Sequence, residues 1–449
     1  MPRPRISVIS QAAALVRAAT LAALVVGTPS RLAFAQSPPY APTPQPAGPD
    51  LAISAVSITP AALDAAKGYV RFDVRTAKEY AAGHLPGAAR LDLGALAQRC
   101  PESDPNEAAC LRVALGALGL SGDLPVVIYG ADLEFPARAF LRLEAAGCRA
   151  VRVLDGGWSA WLAAELDTSK HERKVAPRPF GAGLGRQPMI EPAAVLGGLA
   201  GDPATGRGGL QLLDLRDDGD WSAAGYAAPP AFRAGHAPAS LPWDPRGGLP
   251  AGGRLPEPQA DRAAFERFGP AAGSTVDPTA PFALLGDGLS GPRQAIAYLR
   301  LRAMGLDVRV VRGGFAAWQA AGLPIVRIVE PAEVYSLLGP AALAGNRPAA
   351  LPILDLRDLS DYDQGHLAGA SPLPPALLAK GPQAIEAAVV ARWPKSFVAR
   401  EPLVILGYDR ACLRSRIAAI AAARDGFRTL LWLRDGMAAW RAAGLPVAR

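Results

Sequence analysis

Three stretches of this chain carry the same four marks in the same order, and an internal repeat of this kind restricts the fold more than any composition figure does. The first mark is an apolar run closing in Asp-x-Arg: VRFDVR with Asp73 and Arg75, LLDLR with Asp214 and Arg216, ILDLR with Asp355 and Arg357. The second is Gly-His followed by small residues, at His84, His236 and His366. The third is a fully apolar run: PVVIYG, PFALLG and PLVILG. The fourth is a further apolar run, a glycine turn and Ala-Trp, ending at Trp161, Trp318 and Trp440. Three of the 4 histidines fall on one mark, which chance placement does not produce. Aspartate and histidine stand eleven residues apart in the outer copies and twenty-two in the middle one, so the middle copy carries an eleven-residue insertion around GYAAPPAFR.

Within each copy, short apolar runs alternate with Ala-rich stretches of helical length. That alternation predicts an α/β fold, a parallel sheet with helices on both faces, built three times in tandem. The copies occupy residues 51–166, 189–326 and 327–449. Residues 167–188 separate the first two, whereas the second and third join near Val326 with little between them.

The N-terminus reads as a targeting segment. Arg3 and Arg5 precede the apolar run AATLAALVVGT, and Ala33-Phe34-Ala35 offers small residues where a signal peptidase cuts, so 1–35 is expected to be a signal peptide. The run is shorter than the roughly 20 residues a spanning helix needs. Residues 36–50, rich in proline, form an extended lead. The leader holds four of the 47 basic residues and no acid, leaving 43 against 40 and a net charge of +3 in the mature chain. No basic block is long enough to suggest nucleic acid, and no later stretch is apolar enough for a membrane. The expected location is periplasmic or secreted.

Export places the 4 cysteines in an oxidising compartment. Cys100 and Cys110 bracket the loop CPESDPNEAAC; a disulfide is the favoured reading and two unpaired thiols the alternative. No histidine lies near enough to suggest a metal site. Cys148, where a helix gives way to a strand, reads as a small buried hydrophobe. Cys412, in GYDRACLRSR after the apolar run of the third copy, is the candidate nucleophile, with a buried loop cysteine or a thiol that pairs with another protein as the favoured alternative.

Asp-x-Arg, then Glu-Tyr-x-x-Gly-His-x-Pro-Gly-Ala (Glu79 to Ala88), a strand, a loop and Gly-Gly-x-x-Ala-Trp resembles the rhodanese (sulfurtransferase) domain, over about residues 51–449. The resemblance implies small doubly wound domains. It also implies that active members carry sulfane sulfur on a loop cysteine set just after the third-mark strand, with Arg and Ser or Thr following. In this chain that position is Gly130 in the first copy, Gly286 or Gly288 in the second and Asp409 in the third. Copies one and two therefore lack a nucleophile. The third loop is also similar to that of exported rhodanese-like proteins with Cys-x-x-Cys-Trp, with Cys412 at the second cysteine. Arg410, Arg414 and Ser415 are the candidates for holding an anion or persulfide there. Arginines lower a thiol's pKa, and Asp409 opposes them.

Two functions stand side by side. One is a largely non-catalytic binding or scaffold module linked to sulfur or thiol metabolism, with a possible protein partner. The other is a sulfurtransferase using Cys412, taking a donor anion such as thiosulfate or a persulfide and passing sulfur to a thiol acceptor. Neither requires a cofactor. The Gly-His histidines are expected to be structural, bonding backbone near the next strand, and the Ala-Trp tryptophans to be core.

Overall fold

The computed structural model describes residues 55–449, apart from 103, 105, 182–184, 200–208, 217–234, 268–275, 287–290, 344–350, 374, 379–381, 394–400, 409–412 and 434. The signal segment, the proline-rich lead and the insertion of the middle copy lie outside the described residues. Each copy forms one five-stranded sheet. The first contains β1 (Ser57–Ile58), β2 (Val70–Asp73), β3 (Ala89–Arg90), β4 (Val126–Tyr129) and β5 (Val151–Leu154), in the order β1-β5-β4-β2-β3. The second contains β6 (Met189–Ile190), β7 (Gln211–Asp214), β8 (Leu241–Pro242), β9 (Phe282–Leu285) and β10 (Val308–Val311), in the order β6-β10-β9-β7-β8. The third contains β11 (Ile325–Val329), β12 (Ile353–Asp355), β13 (Ala370–Pro372), β14 (Leu403–Leu406) and β15 (Thr429–Leu433), in the order β11-β15-β14-β12-β13. Counted within each copy, all three orders are the same.

Every pairing in these sheets is parallel, so each step needs a crossover. The central strands β4, β9 and β14 are buried at every residue, which explains their unbroken apolar sequences. The winding reverses between β4 and β2, β9 and β7, and β14 and β12. Crevices at such reversals, beyond the C-terminal strand ends, are where α/β sheets bind ligands. The helices that frame these crevices are α1 (Ala77–Ala82), α2 (Glu107–Ala117), α3 (Glu134–Ala146) and α4 (Gly157–Ala163) in the first domain. They are α5 (Pro292–Ala303) and α6 (Gly314–Ala320) in the second, and α7 (Leu359–Gln364), α8 (Leu413–Asp425) and α9 (Gly436–Ala442) in the third.

The Asp-x-Arg mark is a buried ion pair. Arg75 approaches Asp73 at 2.5 Å, Arg216 approaches Asp214 at 2.7 Å and Arg357 approaches Asp355 at 2.7 Å, each aspartate fully buried. Each aspartate also accepts the arginine's backbone N–H, closing a two-residue turn. Each arginine then donates to the carbonyl of the glycine in Gly-His: Gly83 at 2.7 Å, Gly235 at 2.9 Å and Gly365 at 2.9 Å. The first and second marks thus form one device that fixes how the chain leaves the second strand of each sheet.

Around it, the rest of Glu-Tyr-x-x-Gly-His has direct explanations. Glu79 completes a capping box with Thr76 at the start of α1. Tyr80 stacks on His84 at 3.9 Å, and its hydroxyl donates to Ala88 O. Tyr362, His366 and Ala370 repeat the arrangement in the third domain. The histidines are structural, but not by bonding near the next strand. His84 Nδ1 lies 2.9 Å from Tyr80 O, one helical turn back, and its backbone bridges to Ser169. His236 bridges to Val326 and His366 to Ala448 in the same way. The buried tryptophans clamp the same tails: Trp161 Nε1 donates to Asp167 O, Trp318 to Pro324 O and Trp440 to Pro446 O. Burying an indole requires a partner for its N–H, and the tail carbonyl six residues on supplies it.

One contiguous apolar cluster runs through the first two domains, from Val70 and Phe72 to Phe282 and Leu284. The joint is α3 against α5, where Phe140 meets Tyr298 and Glu144 accepts from Tyr298 at 2.5 Å and from Arg302 at 2.6 Å. The connecting segment is strapped to the first domain: Arg178 N donates to Gly116 O, and Val175 and Phe180 pack on Gly119 and Gly122. Replacing Asp355 by Ala strands the buried Arg357 charge; loss of about 3–5 kcal/mol of third-domain stability is expected, read from the urea midpoint.

Candidate functional site

In each sheet the chain leaves the central strand through a glycine. Gly130 follows β4, Gly286 follows β9 and Gly407 follows β14. This exit faces the glycine turn of the fourth mark. Gly157 has φ 55° and Gly436 has φ 58°; a Cβ on Gly157 would lie 2.5 Å from Gly130 O, and one on Gly436 would strike Gly407 O. Only glycine serves here, because both the backbone angle and the contact exclude a side chain.

At the first two exits the place of a nucleophile's side chain is taken. A Cβ at Gly130 would sit 3.0 Å from both Cγ and Cδ of Pro136 and 3.3 Å from Val74 Cγ2. Pro136 lies in the first turn of α3, where proline is tolerated. A Cβ at Gly286 would run into the side chain of Gln294, with Oε1 at 2.6 Å. Gln294 is 1% exposed and accepts from Gly291 N, and its Nε2 has no partner among the described residues. Gly288, the other position considered in the second copy, lies outside the described residues. Above the ion pairs, Arg75 lies 4.1 Å from the Trp158 ring and Arg216 lies 3.5 Å from the Phe315 ring. Pro136, Gln294, Trp158 and Phe315 were not singled out from the sequence. The only signal for them was proline or glutamine in the helix start after a nucleophile-free loop.

The third exit differs. Met437 stands where Trp158 and Phe315 stand, and is buried. Asp409, Arg410 and Cys412 lie outside the described residues, and so does the side chain of Arg414. Arg414 and Ser415 both fall in the first turn of α8, the helix that follows the loop. A helix start presents unpaired N–H groups and favours an anion or thiolate. Ser415 is 3% exposed, and its Oγ has no partner among the described residues. The rim carries Tyr408, whose hydroxyl lies 2.8 Å from Asp358 Oδ2 and 2.6 Å from Asp361 Oδ2 and accepts from Asp358 N. Burial and these two carboxylates push the Tyr408 phenol up to about 12. One hydroxyl hydrogen is thus offered to two carboxylates, which gives this entrance an acidic edge that the loop motif did not reveal.

Cys100 and Cys110 form a disulfide with Cα atoms 5.5 Å apart, as favoured from the sequence. Cys148 is buried, and burial pushes its thiol up to about 12, the opposite of an activated nucleophile. Among the described residues no cluster of His, Cys, Asp and Glu could hold a metal ion, and no helix is long and apolar enough to cross a membrane.

The family model of the rhodanese-like domain matches residues 60–164 and 333–443. These two segments are rhodanese-like domains. The middle domain lies outside the matched segments and shares their strand order. The chain is 29% identical over 177 residues to a 3-mercaptopyruvate sulfurtransferase of Escherichia coli, covering 38% of this chain and 60% of that one. It is 34% identical over 119 residues to the thiosulfate sulfurtransferase YnjE of Escherichia coli, covering 25% and 26%. It is 36% identical over 151 residues to a probable 3-mercaptopyruvate sulfurtransferase of Pseudomonas aeruginosa, covering 31% and 50%. This chain therefore spans three fifths or less of each of these relatives.

Cysteine introduced at Gly130 is expected to overpack the first rhodanese-like domain, lowering stability by about 1–3 kcal/mol without creating a reactive thiol. A denaturant melt and alkylation with a maleimide check both parts. For Tyr408 the sign follows from its raised value. The folded state holds its proton at pH where the unfolded state has lost it. The stabilising contribution is full below about pH 10, the unfolded phenol's range, and is lost as pH rises toward 12. Wild type is expected to lose stability faster than Tyr408→Phe across that window, measured by urea midpoints at each pH.

Proposed function

We propose that this is an exported protein of sulfur or thiol metabolism whose first two rhodanese-like units are a non-catalytic scaffold. The observation that carries this reading is the filled exit at Gly130 and Gly286, occupied by Pro136 and by Gln294. A side chain at either position would press on those neighbours, its Cβ lying 3.0 Å from Pro136 or closer still to Gln294, and would need them to move. What the two domains keep is the joint between α3 and α5, the helices that follow those exits. The scaffold presents the third domain, and binding of a protein or thiol partner at its acidic rim is the activity proposed.

A second reading has specific support. The relatives are sulfurtransferases, and the first turn of α8, just after Cys412 in sequence, carries Arg414 and the buried Ser415, whose Oγ has no partner among the described residues. In that reading the Cys412 thiolate takes sulfane sulfur from thiosulfate or a persulfide and yields it to a thiol. Sulfite or the donor's thiolate is the leaving group. Asp358 and Asp361 at this entrance weigh against a dianionic donor such as thiosulfate.

The mature chain from Gln36, incubated with thiosulfate, is expected to show no adduct at Cys412 and no transfer to cyanide. A gain of about 32 Da on Cys412, absent in Cys412→Ser and removed by cyanide, would establish a persulfide and replace the scaffold reading by the sulfurtransferase one.

A further inference from the structure

The disulfide loop of the first domain reaches into the second. Cys100–Cys110 closes a segment that carries Glu102 and Glu107. Both glutamates are buried against Arg142 of α3, also buried: Arg142 lies 3.1 Å from Glu102 Oε1 and 3.4 Å from Glu107 Oε1. Arg142 Nη2 also donates to the carbonyl of Cys100 itself at 2.6 Å. The other oxygen of Glu107 lies 3.5 Å from Arg312 of the second domain, and Arg312 Nε donates to Glu191 at 2.8 Å. Arg312 opens the glycine turn of that domain. Three residues on, Phe315 N donates to Gly286 O at the central-strand exit, at 2.7 Å. An unbroken series of contacts thus runs from the disulfide to the crevice of the second domain.

Two carboxylates held this close out of water repel each other and lose hydration. Burial raises the Glu107 carboxyl above its ordinary range, and Glu102 adds to the rise while Arg142 and Arg312 oppose it. Burying such a pair is costly and is offset by Arg142, which holds both carboxylates. The covalent loop adds a constraint on the backbone that carries them. Cys100 is fully buried in the core and Cys110 is half-buried, so one sulfur is within reach of solvent.

We propose that Cys100–Cys110 is a redox-sensitive latch on the joint between the first and second domains, opened by a dithiol. A dithiol's thiolate attacks Cys110 Sγ, the Cys100–Cys110 bond breaks and Cys100 leaves as a thiolate that takes up a proton. The second thiol of the reductant then displaces Cys110, which is also protonated. Two electrons pass to the protein and the dithiol ends as a disulfide. Opened, the loop lets Glu102 and Glu107 turn to water, and Arg312 loses its contact with the first domain. This inference is independent of whether Cys412 is catalytic.

The test is hydrogen exchange by mass spectrometry on the full mature chain, oxidised and after excess dithiothreitol, with alkylation confirming that both cysteines are reduced. Exchange in Pro292–Ala303 and Gly314–Ala320 is expected to quicken about tenfold on reduction, with Leu403–Leu433 unchanged. Equal protection in both states overturns the latch. So does faster exchange confined to the first domain. Arg312→Ala, with the disulfide kept, removes the contact with the second domain while the loop stays covalently closed. It is expected to quicken exchange in Gly314–Ala320 alone, and unchanged protection there also overturns the proposal.

Discussion

The buried Asp–Arg pair closing the second strand of each sheet is the interaction on which the remaining architecture rests. Removing two charges from water is costly, and bidentate contact recovers that cost only when the remaining polar valences are met. Here they are met by backbone: the arginine N–H bonds the same carboxylate, and the guanidinium holds a glycine carbonyl eight residues along in the outer domains. That glycine precedes the histidine whose backbone bridges to the domain's tail, and the tail is clamped again by the tryptophan indole. Ion pair, Gly-His and Ala-Trp are therefore parts of one closure, which draws the last residues of a domain back to the floor of its crevice. In the second domain the same closure survives a longer path, since Gly235 lies nineteen residues from Arg216 and still accepts its hydrogen bond.

On this common floor the three crevices have diverged. Aromatic rings lie over the arginine in the first two, and a proline and a glutamine fill the exit from the central strand. In the third, methionine replaces the ring and a tyrosine shared between two aspartates forms the edge. The first two domains have also fused their cores through the helices that follow the filled exits, while the third keeps its own apolar cluster around Ile353, Val404 and Trp440. The helices that follow the glycine exits of the first two domains are the ones that meet at the joint.

Much of this was legible in the sequence because repetition supplied three readings of each mark. The parallel sheets, the strands ending at Asp73, Asp214 and Asp355 and the core tryptophans follow from spacing and residue type, whereas the interest of Gly130 and Gly286 came from the family resemblance. The Cys100–Cys110 bond was legible from two cysteines flanking a short polar loop. What could not be read were long-range partners. Glu107 meets Arg312 across about two hundred residues, and Gln294 reaches back over Gly286, because tertiary packing chooses them and local pattern does not. The acidic edge at Tyr408 was hidden for the same reason: Asp358 and Asp361 read as ordinary helix-start acids until β12 and β14 bring them beside the loop.

Val326 belongs to two domains at once. Its backbone exchanges hydrogen bonds with His236, closing the second domain, and it is also the second residue of β11, paired with Leu430 in the third. No peptide bond can be cut between these domains without taking a strand residue from one or the tail closure from the other. The boundary is a shared residue and not a tether. During synthesis the second domain completes its closure only as the chain of the third emerges, which makes the order of folding part of the architecture.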